Sequence, residues 1–158
     1  MIVFRIALKR FGATAREALD GNSGYFADGR WHNRGRHLDY AAESRSLATL
    51  ERLVHYKRFD CLEPHVIYTV NVPDEHVDTL LSHPRGWDGD DLLPAAQAIG
   101  NSWCDKMKSP ALQVPSAVTP GEHNIMLNSR HHAWDWEWVV TNAIPFEFDT
   151  RLADLLRK

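Results

Sequence analysis

The residues with the clearest chemical potential lie in the stretch GRWHNRGRHLDY, from Gly29 to Tyr40. Arg30, Arg34 and Arg36 fall within seven positions of a chain whose formal net charge is -3. Because the whole chain does not attract polyanions, the cluster indicates a local anion site more than a nucleic-acid surface, and a solvated basic loop is the simplest alternative. A guanidinium group can bind phosphate with two parallel hydrogen bonds, and an aromatic ring can hold a flat ligand.

A turn is predicted at Gly35, because glycine tolerates the positive φ that the NRGR sequence favours. In a hairpin around that turn, Arg30 and Tyr40, each five residues from Gly35, face one another. The chain then continues through AAES into the strongest predicted helix, SRSLATLERLVHYK, with Ser44 as its N-cap. This helix carries Glu51, so that an arginine, a tyrosine and a glutamate could converge on one cleft.

Glu51 is placed by the helical pattern beside a stripe of apolar residues. The stripe consists of Leu47, Leu50, Leu53 and Val54. A carboxylate next to a core-facing stripe is costly to bury unless it is paired or lines a pocket. The simpler alternative is a glutamate at the stripe boundary that reaches solvent or bridges Arg52 or Arg58.

The elements predicted along the chain are those of an α+β protein. Alternation and β-branched content predict strands at MIVFRIAL, HVIYTVNV, ALQVPSAV, NIMLN, EWVVTNA and IPFEF, with helices at SRSLATLERLVHYK, PAAQAIGNSWCDKM and DTRLADLLRK. The strands cluster late and do not alternate regularly with helices, which favours α+β over a parallel α/β sheet. The 158 residues show no repeat or linker, so a single domain spanning residues 1–158 is expected.

The composition is that of a soluble globular protein, with 44% hydrophobic and 25% charged residues. The N-terminus MIVFRIALKR alternates like a strand and lacks the order of a signal peptide. Two cysteines, Cys61 and Cys104, make no disulfide framework and fit a reducing compartment. We therefore expect a cytoplasmic protein.

Several common site types are missing from the sequence. It contains no G-x-G-x-x-G, no G-x-x-x-x-G-K, no G-x-S-x-G and no H-E-x-x-H. Although there are nine histidines, their spacing does not resemble a ligand set, and no metal is expected. Trp134, Trp136 and Trp138 alternate, so on a strand they would share one face for core packing or for a homodimer.

Three segments together resemble RES-domain proteins. GRWHNRGRHLDYAAESRSLATLE resembles the opening signature of the family, VPSAVTPGEHNIMLNSRH the later one, and PFEFDTRL the usual ending. The resemblance implies a fold similar to that of ADP-ribosyltransferase toxins, with central mixed or antiparallel β-sheets flanked by helices. It also implies a bacterial toxin that destroys cellular NAD+ and is neutralised by an Xre-type helix-turn-helix antitoxin.

The resemblance also implies site residues. Arg30, Tyr40 and Glu51 match the active-site trio of the family, and Ser116 matches its active-site serine. NAD+ is then a substrate, bound by Arg30, Tyr40, Ser116 and Asn124.

Asn124 and Asn128 match recurrent asparagine positions, for which a structural role is an equal alternative. The sequence departs from the family pattern at two places: His32 stands where Asn is commoner, and Ser129 stands where Pro is usual. His32 is therefore included among the expected substrate-binding residues, with an open effect on substrate preference.

Cleavage of the nicotinamide–ribose bond is the reaction implied, and its acceptor is open between water, phosphate and a protein side chain. The preferred interpretation is an NAD+ glycohydrolase or phosphorylase. One alternative is an ADP-ribosyltransferase acting on a cellular protein, and another is a non-catalytic nucleic-acid-binding module. In the preferred interpretation DNA binding belongs to the antitoxin and not to this chain, and a homodimer within a larger toxin–antitoxin complex is allowed.

Overall fold

The computed structural model describes residues 1–55, 63–89 and 94–155, and for residues 153–155 only the backbone. The strands are β1 (Ile2–Leu8), β2 (Asp39–Ala42), β3 (His65–Asn71), β4 (Val77–Thr79), β5 (Ala111–Pro115), β6 (His123–Leu127) and β7 (Ile144–Phe146). The helices are α1 (Ala15–Ala18), α2 (Asn22–Phe26), α3 (Arg45–His55), α4 (Pro94–Asp105) and α5 (Thr150–Leu155). Cys104 is buried and free, and Cys61 lies outside the described residues.

The described strands form one sheet in the order β4-β5-β6-β2-β1-β3-β7. Neighbouring strands are antiparallel, except that β4 and β5 are parallel, so the sheet is mixed. This confirms the predicted α+β class. In the middle of the sheet Tyr40 of β2 pairs with Met126 of β6, and Ala42 pairs with Asn124. The register therefore places two predicted site residues on adjacent strands.

Helix α3 packs across β1 and β2. Its buried Leu47 and Ala48 join a cluster with Ile6, Ala42 and Ile67 from the sheet. Ser44 caps the helix as predicted, because its hydroxyl accepts a hydrogen bond from the Leu47 amide at 3.0 Å. This packing fixes the rotation of α3 and with it the direction of Glu51.

The predicted strand EWVVTNA is wrong. Residues Trp136–Trp138 form a 3-10 turn, and the only ladder contact in this described segment is an isolated bridge from Val139 to Val70. The Asp135 carboxylate accepts a hydrogen bond from the Glu137 amide, and such local bonding competes with an extended strand. The three tryptophans still meet, since the Trp134 ring lies 5.8 and 5.3 Å from the other two, and all pack against the chain's own core.

Helix α4 approaches the loop after α2 so closely that only glycine fits at its contact point. A Cβ on Gly100 would lie 1.9 Å from the carbonyl oxygen of Trp31. Trp31 itself is 1% exposed and packs with Trp103 and Met126 in a second cluster. This close contact holds the loop at residues 27–32, which carries Arg30, against helix α4. No described helix is both long and apolar enough to cross a membrane.

We expect Gly100→Ala to destabilise the protein by about 1–3 kcal/mol, because the added methyl group displaces a backbone carbonyl. Helix propensity alone predicts the opposite sign, a gain of about 1 kcal/mol. Urea unfolding followed by circular dichroism measures the difference, with Ser102→Ala in the same helix as the control. A more stable Gly100→Ala protein would show that α4 does not contact the loop in this way.

Candidate active site

A cavity of about 400 Å³ opens between the centre of the sheet, helix α3 and the loop at residues 27–32. Five predicted site residues line it: Arg30, His32, Tyr40, Glu51 and Asn124. Ser116 reaches the same place indirectly, because it bonds to Glu51 while its neighbours Pro115 and Ala117 line the wall. The tertiary structure thus gathers residues spread over more than ninety sequence positions.

Glu51 is half-buried and held by two donors from the sheet side. Its Oε1 accepts a hydrogen bond from the Ser116 hydroxyl at 2.7 Å and from the Asn124 amide at 2.5 Å. The predicted apolar stripe of α3 was wrong in part, because Leu50 and Val54 are 41% and 58% exposed. The buried face is instead formed by Leu47, Ala48 and Leu53. Glu51 lies one helical turn after the buried Leu47 and Ala48, and it lines the cavity.

The Ser116 hydroxyl has one proton, and it is donated to Glu51. The Ser116 side chain is 2% exposed and its oxygen already accepts hydrogen bonds from the amides of Val118 and Thr119, at 3.1 and 3.0 Å. The turn after β5 thereby fixes the hydroxyl, which donates to Glu51. A carboxylate that accepts two such bonds keeps one orientation, as electrostatic stabilisation of a reacting group requires.

Arg30 does not face Tyr40 across a hairpin. The hairpin register predicted from the sequence was therefore wrong. Tyr40 belongs to a strand that pairs with β6 and β1, whereas residues 29–32 close their own tight turn. Gly35 does adopt the predicted positive φ, at 96°. The Arg30 Nη1 donates to the carbonyls of Trp87 and Gly89 at 2.7 and 2.8 Å, which ties the guanidinium to the loop at residues 84–89.

Tyr40 is electrostatically linked to both other members of the trio. Burial raises the pKa of its hydroxyl well above the ordinary value, the backbone of Trp31 lowers it, and the charge of Glu51 raises it further. The positive charge of Arg30 acts in the opposite direction on the same pKa. Burial is the largest of these effects, so the net shift of the Tyr40 pKa is upward.

His32 is 2% exposed and uses both ring nitrogens. Nδ1 lies 3.0 Å from the Tyr40 hydroxyl, and Nε2 lies 3.1 Å from the carbonyl oxygen of Ala27. Burial lowers the pKa of this imidazole, so the neutral form is favoured. Its assignment as a substrate-binding residue stays a prediction, since the ring bonds to Tyr40 and to the loop backbone.

Asn128 lies outside the cavity lining. It is 2% exposed, its Oδ1 accepts from the Arg130 amide at 3.1 Å, and its Nδ2 points to the Met107 sulfur at 3.3 Å. These bonds hold the turn that follows β6 against the end of α4. The contacts fit the structural role that the sequence left as an alternative for this residue.

A buried ion pair between Arg5 and Asp39 was not predicted from the sequence, and Arg5 also lines the cavity. Arg5 of β1 bonds to Asp39 at 2.7 Å, and the two side chains are 9% and 2% exposed. Arg5 also donates to the carbonyl oxygens of Tyr40, at 2.9 Å, and Ala18, at 3.0 Å. The Asp39 carboxylate in turn accepts from Ser23 and from the Gly21 amide. The only signal was a charged residue inside the apolar run MIVFRIAL.

The remaining arginines of the opening stretch, Arg34 and Arg36, do not belong to the cavity lining. Arg36 pairs with Asp105 at 2.7 Å on the surface, and Arg34 is exposed. Asp105 therefore balances the charge of Arg36 locally. Among the described residues there is no group of three His, Cys, Asp or Glu side chains that could hold a metal ion.

The geometry can be set beside known proteins. The RES domain family model matches residues 2–149. The chain belongs to the RES-domain family. Among its relatives is the "Toxin Res" of Yersinia enterocolitica, 31% identical over 96% of this chain and 99% of that protein. The "Prs ADP-ribosylating toxin" of Sphingobium sp. is 32% identical over 72% of this chain and 73% of that one.

The crystal structure of the Mycobacterium tuberculosis MbcT–MbcA toxin–antitoxin complex contains a similar fold. The TM-score is 0.70 at 17% identity, over 99% of this chain and 88% of the matched chain. At that identity the likeness concerns the fold alone. Together with the family match, it confirms that the chain is a RES-domain protein with the fold that the sequence resemblance implied, in a family whose named relatives are toxins.

Proposed function

We propose that this RES-domain protein is a toxin that cleaves the nicotinamide–ribose bond of NAD+. The observation that carries the proposal is Glu51, a carboxylate fixed by Ser116 and Asn124 in the wall of a cavity of about 400 Å³. Cleavage of that bond develops positive oxocarbenium character on the ribose. An oriented negative charge beside the ribose stabilises this transition state more than the ground state.

Nicotinamide leaves as a neutral molecule from a positively charged ring, so its departure does not require a strong general acid. This agrees with a cavity in which burial raises the pKa of Tyr40 and makes its hydroxyl a weaker acid than an ordinary tyrosine. We assign the Tyr40 side chain to the nicotinamide end of the substrate. Glu51 contacts the ribose hydroxyls, and Ser116 acts through the carboxylate it orients.

Arg30 is the residue we assign to the pyrophosphate. In the structure its Nη1 is bonded to two backbone carbonyls of the loop at residues 84–89. A guanidinium has five N–H donors, so it can keep this anchorage and still present other donors to phosphate oxygens. The carbonyls orient the fork without neutralising its charge.

Incubation of purified protein with NAD+ tests this proposal. We expect release of free nicotinamide, measured by chromatography, together with ADP-ribose if water is the acceptor. ADP-ribose-1″-phosphate formed only with added inorganic phosphate would identify a phosphorylase. If nicotinamide does not appear under any of these conditions, this chain does not consume NAD+ by itself.

The second candidate is transfer of ADP-ribose to a cellular protein. It is favoured by the 32% identity to the Sphingobium protein, whose name describes it as an ADP-ribosylating toxin. The cavity chemistry is the same up to loss of nicotinamide, and only the acceptor differs. Mass spectrometry of proteins from cells that express the chain separates the two, because transfer leaves ADP-ribose on a protein and bulk cleavage depletes NAD+.

We further propose an antitoxin partner of the Xre helix-turn-helix type, which would bind DNA in place of this chain, and a cytoplasmic site of action. The fold neighbour is a toxin–antitoxin complex, and that supports the general form of the partnership. Self-association is a weaker proposal, because Trp134, Trp136 and Trp138 pack against the chain's own core.

Ser116→Ala is expected to lower the rate of nicotinamide release about tenfold, the equivalent of roughly 1.4 kcal/mol. The substitution removes the donor that orients Glu51 but leaves the carboxylate in place. Steady-state kinetics should show the loss in kcat and little change in KM, with Ser102→Ala as a control on α4. An unchanged kcat would mean that Asn124 alone is sufficient to position Glu51.

A further inference from the structure

His32 and Tyr40 form a bonded pair whose proton arrangement can be assigned from the groups around it. The Ala27 carbonyl oxygen can only accept, so the nitrogen 3.1 Å from it, Nε2, carries the imidazole proton. Nδ1 is then an acceptor, and the Tyr40 hydroxyl donates to it across 3.0 Å. The tilt of 45° between the rings, with centroids 5.5 Å apart, suits this edge contact and not stacking.

The turn around His32 is built to hold that imidazole ring still. The Gly29 amide donates to the His32 carbonyl at 2.9 Å, and Gln97 of α4 donates to the Gly29 carbonyl at 3.1 Å. A Cβ on Gly29 would lie 2.6 Å from two atoms of the His32 ring and 2.9 Å from the Tyr40 hydroxyl. The space next to this glycine is thus filled by the bonded pair.

We infer that His32 is a positioning residue that fixes the Tyr40 ring in the cavity by accepting a hydrogen bond from the tyrosine hydroxyl. The inference rests on the proposed NAD+ cleavage and assigns a role within it. Since the hydroxyl proton is directed at His32, Tyr40 presents its aromatic face to the ligand instead of a hydrogen-bond donor. The flat, cationic nicotinamide ring of NAD+ is the part of the substrate that such a face suits.

A double-mutant cycle of His32→Phe and Tyr40→Phe tests the pairing, because each substitution removes one side of the hydrogen bond and keeps a ring. We expect each single variant to lose about tenfold in kcat for nicotinamide release, which corresponds to a single hydrogen bond. The double variant should be no slower than the slower single variant. His32→Asn keeps an acceptor near the Nδ1 position and should recover most of the rate.

Tyr40→Leu separates the ring from its hydroxyl. If the face is the working part, Tyr40→Leu should lose at least about tenfold more than Tyr40→Phe. Two results would overturn the inference: a Tyr40→Phe protein as slow as Tyr40→Leu, which would make the hydroxyl the catalytic group, or multiplicative losses in the double variant, which would make His32 act independently of Tyr40.

The urea unfolding midpoints of the same four proteins test the pairing of His32 with Tyr40 without any measurement of activity. This test is therefore independent of the proposed reaction. Non-additive midpoint shifts would support the bonded pair, and additive shifts would overturn it, whatever the activity. If wild-type protein released no nicotinamide, the proposed function would fail, and these midpoint shifts would then decide whether His32 positions Tyr40.

Discussion

Glu51→Gln is expected to reduce the kcat for nicotinamide release by about a hundredfold to a thousandfold. The amide has nearly the shape of the carboxylate, and its oxygen can still accept the hydrogen bonds from Ser116 and Asn124. Only the negative charge is lost, and in the proposed mechanism that charge stabilises the developing ribose cation. The expected loss therefore lies in kcat, with KM for NAD+ changed much less.

Glu75→Gln makes the same chemical change at an exposed position in the turn before β4, and it should leave kcat unaltered. A growth assay gives a second measurement, since cells that express the Glu51→Gln protein should keep their NAD+ and continue to divide. Nicotinamide release by Glu51→Gln at the wild-type rate would remove Glu51 from the mechanism and leave the cavity without an identified stabilising charge.

Asp39→Ala is expected to have the largest effect on stability, about 3–5 kcal/mol. The substitution leaves the buried Arg5 side chain, 9% exposed, without its carboxylate partner at 2.7 Å. It also removes the acceptor for Ser23 and for the Gly21 amide, which hold α2 against β2. Because total stabilities of small domains are about 5–15 kcal/mol, much of the protein's margin would be lost.

Urea unfolding of the Asp39→Ala protein measures the loss, and two further variants show its origin. Asp105→Ala breaks the surface pair with Arg36 and should cost no more than about 1 kcal/mol. Arg5→Met combined with Asp39→Ala should be more stable than Asp39→Ala alone, because no unpaired charge then stays buried. A double variant that is less stable than the single one would show that Arg5 contributes through its carbonyl contacts and not as the partner of Asp39.

The sequence was a good guide wherever a local rule applied. The alternation of MIVFRIAL and the β-branched run HVIYTVNV predicted β1 and β3, and Ser44 predicted the cap of α3. The hydrophobic stripe of α3 was predicted less well, because the sheet that it packs on decides which side is buried. Leu50 and Val54 are exposed, and Val54 lines the cavity. The strand predicted at EWVVTNA failed for a different reason, because the Asp135 carboxylate accepts a hydrogen bond from the Glu137 amide and competes locally with an extended strand.

The sequence by itself determined the family, the α+β class and the residue types of the site, because RES-domain motifs, strand alternation and cap signals are local in the chain. Only the tertiary structure decided how those residues meet. Arg30 lies in the loop at residues 27–32 and is held there by carbonyls of the loop at residues 84–89, not across a hairpin from Tyr40. Glu51 is oriented by Ser116 from another strand end. Arg5 and Asp39 had no motif at all. Their contribution to stability comes from burial and from partners distant in sequence. Both arise only when the sheet forms.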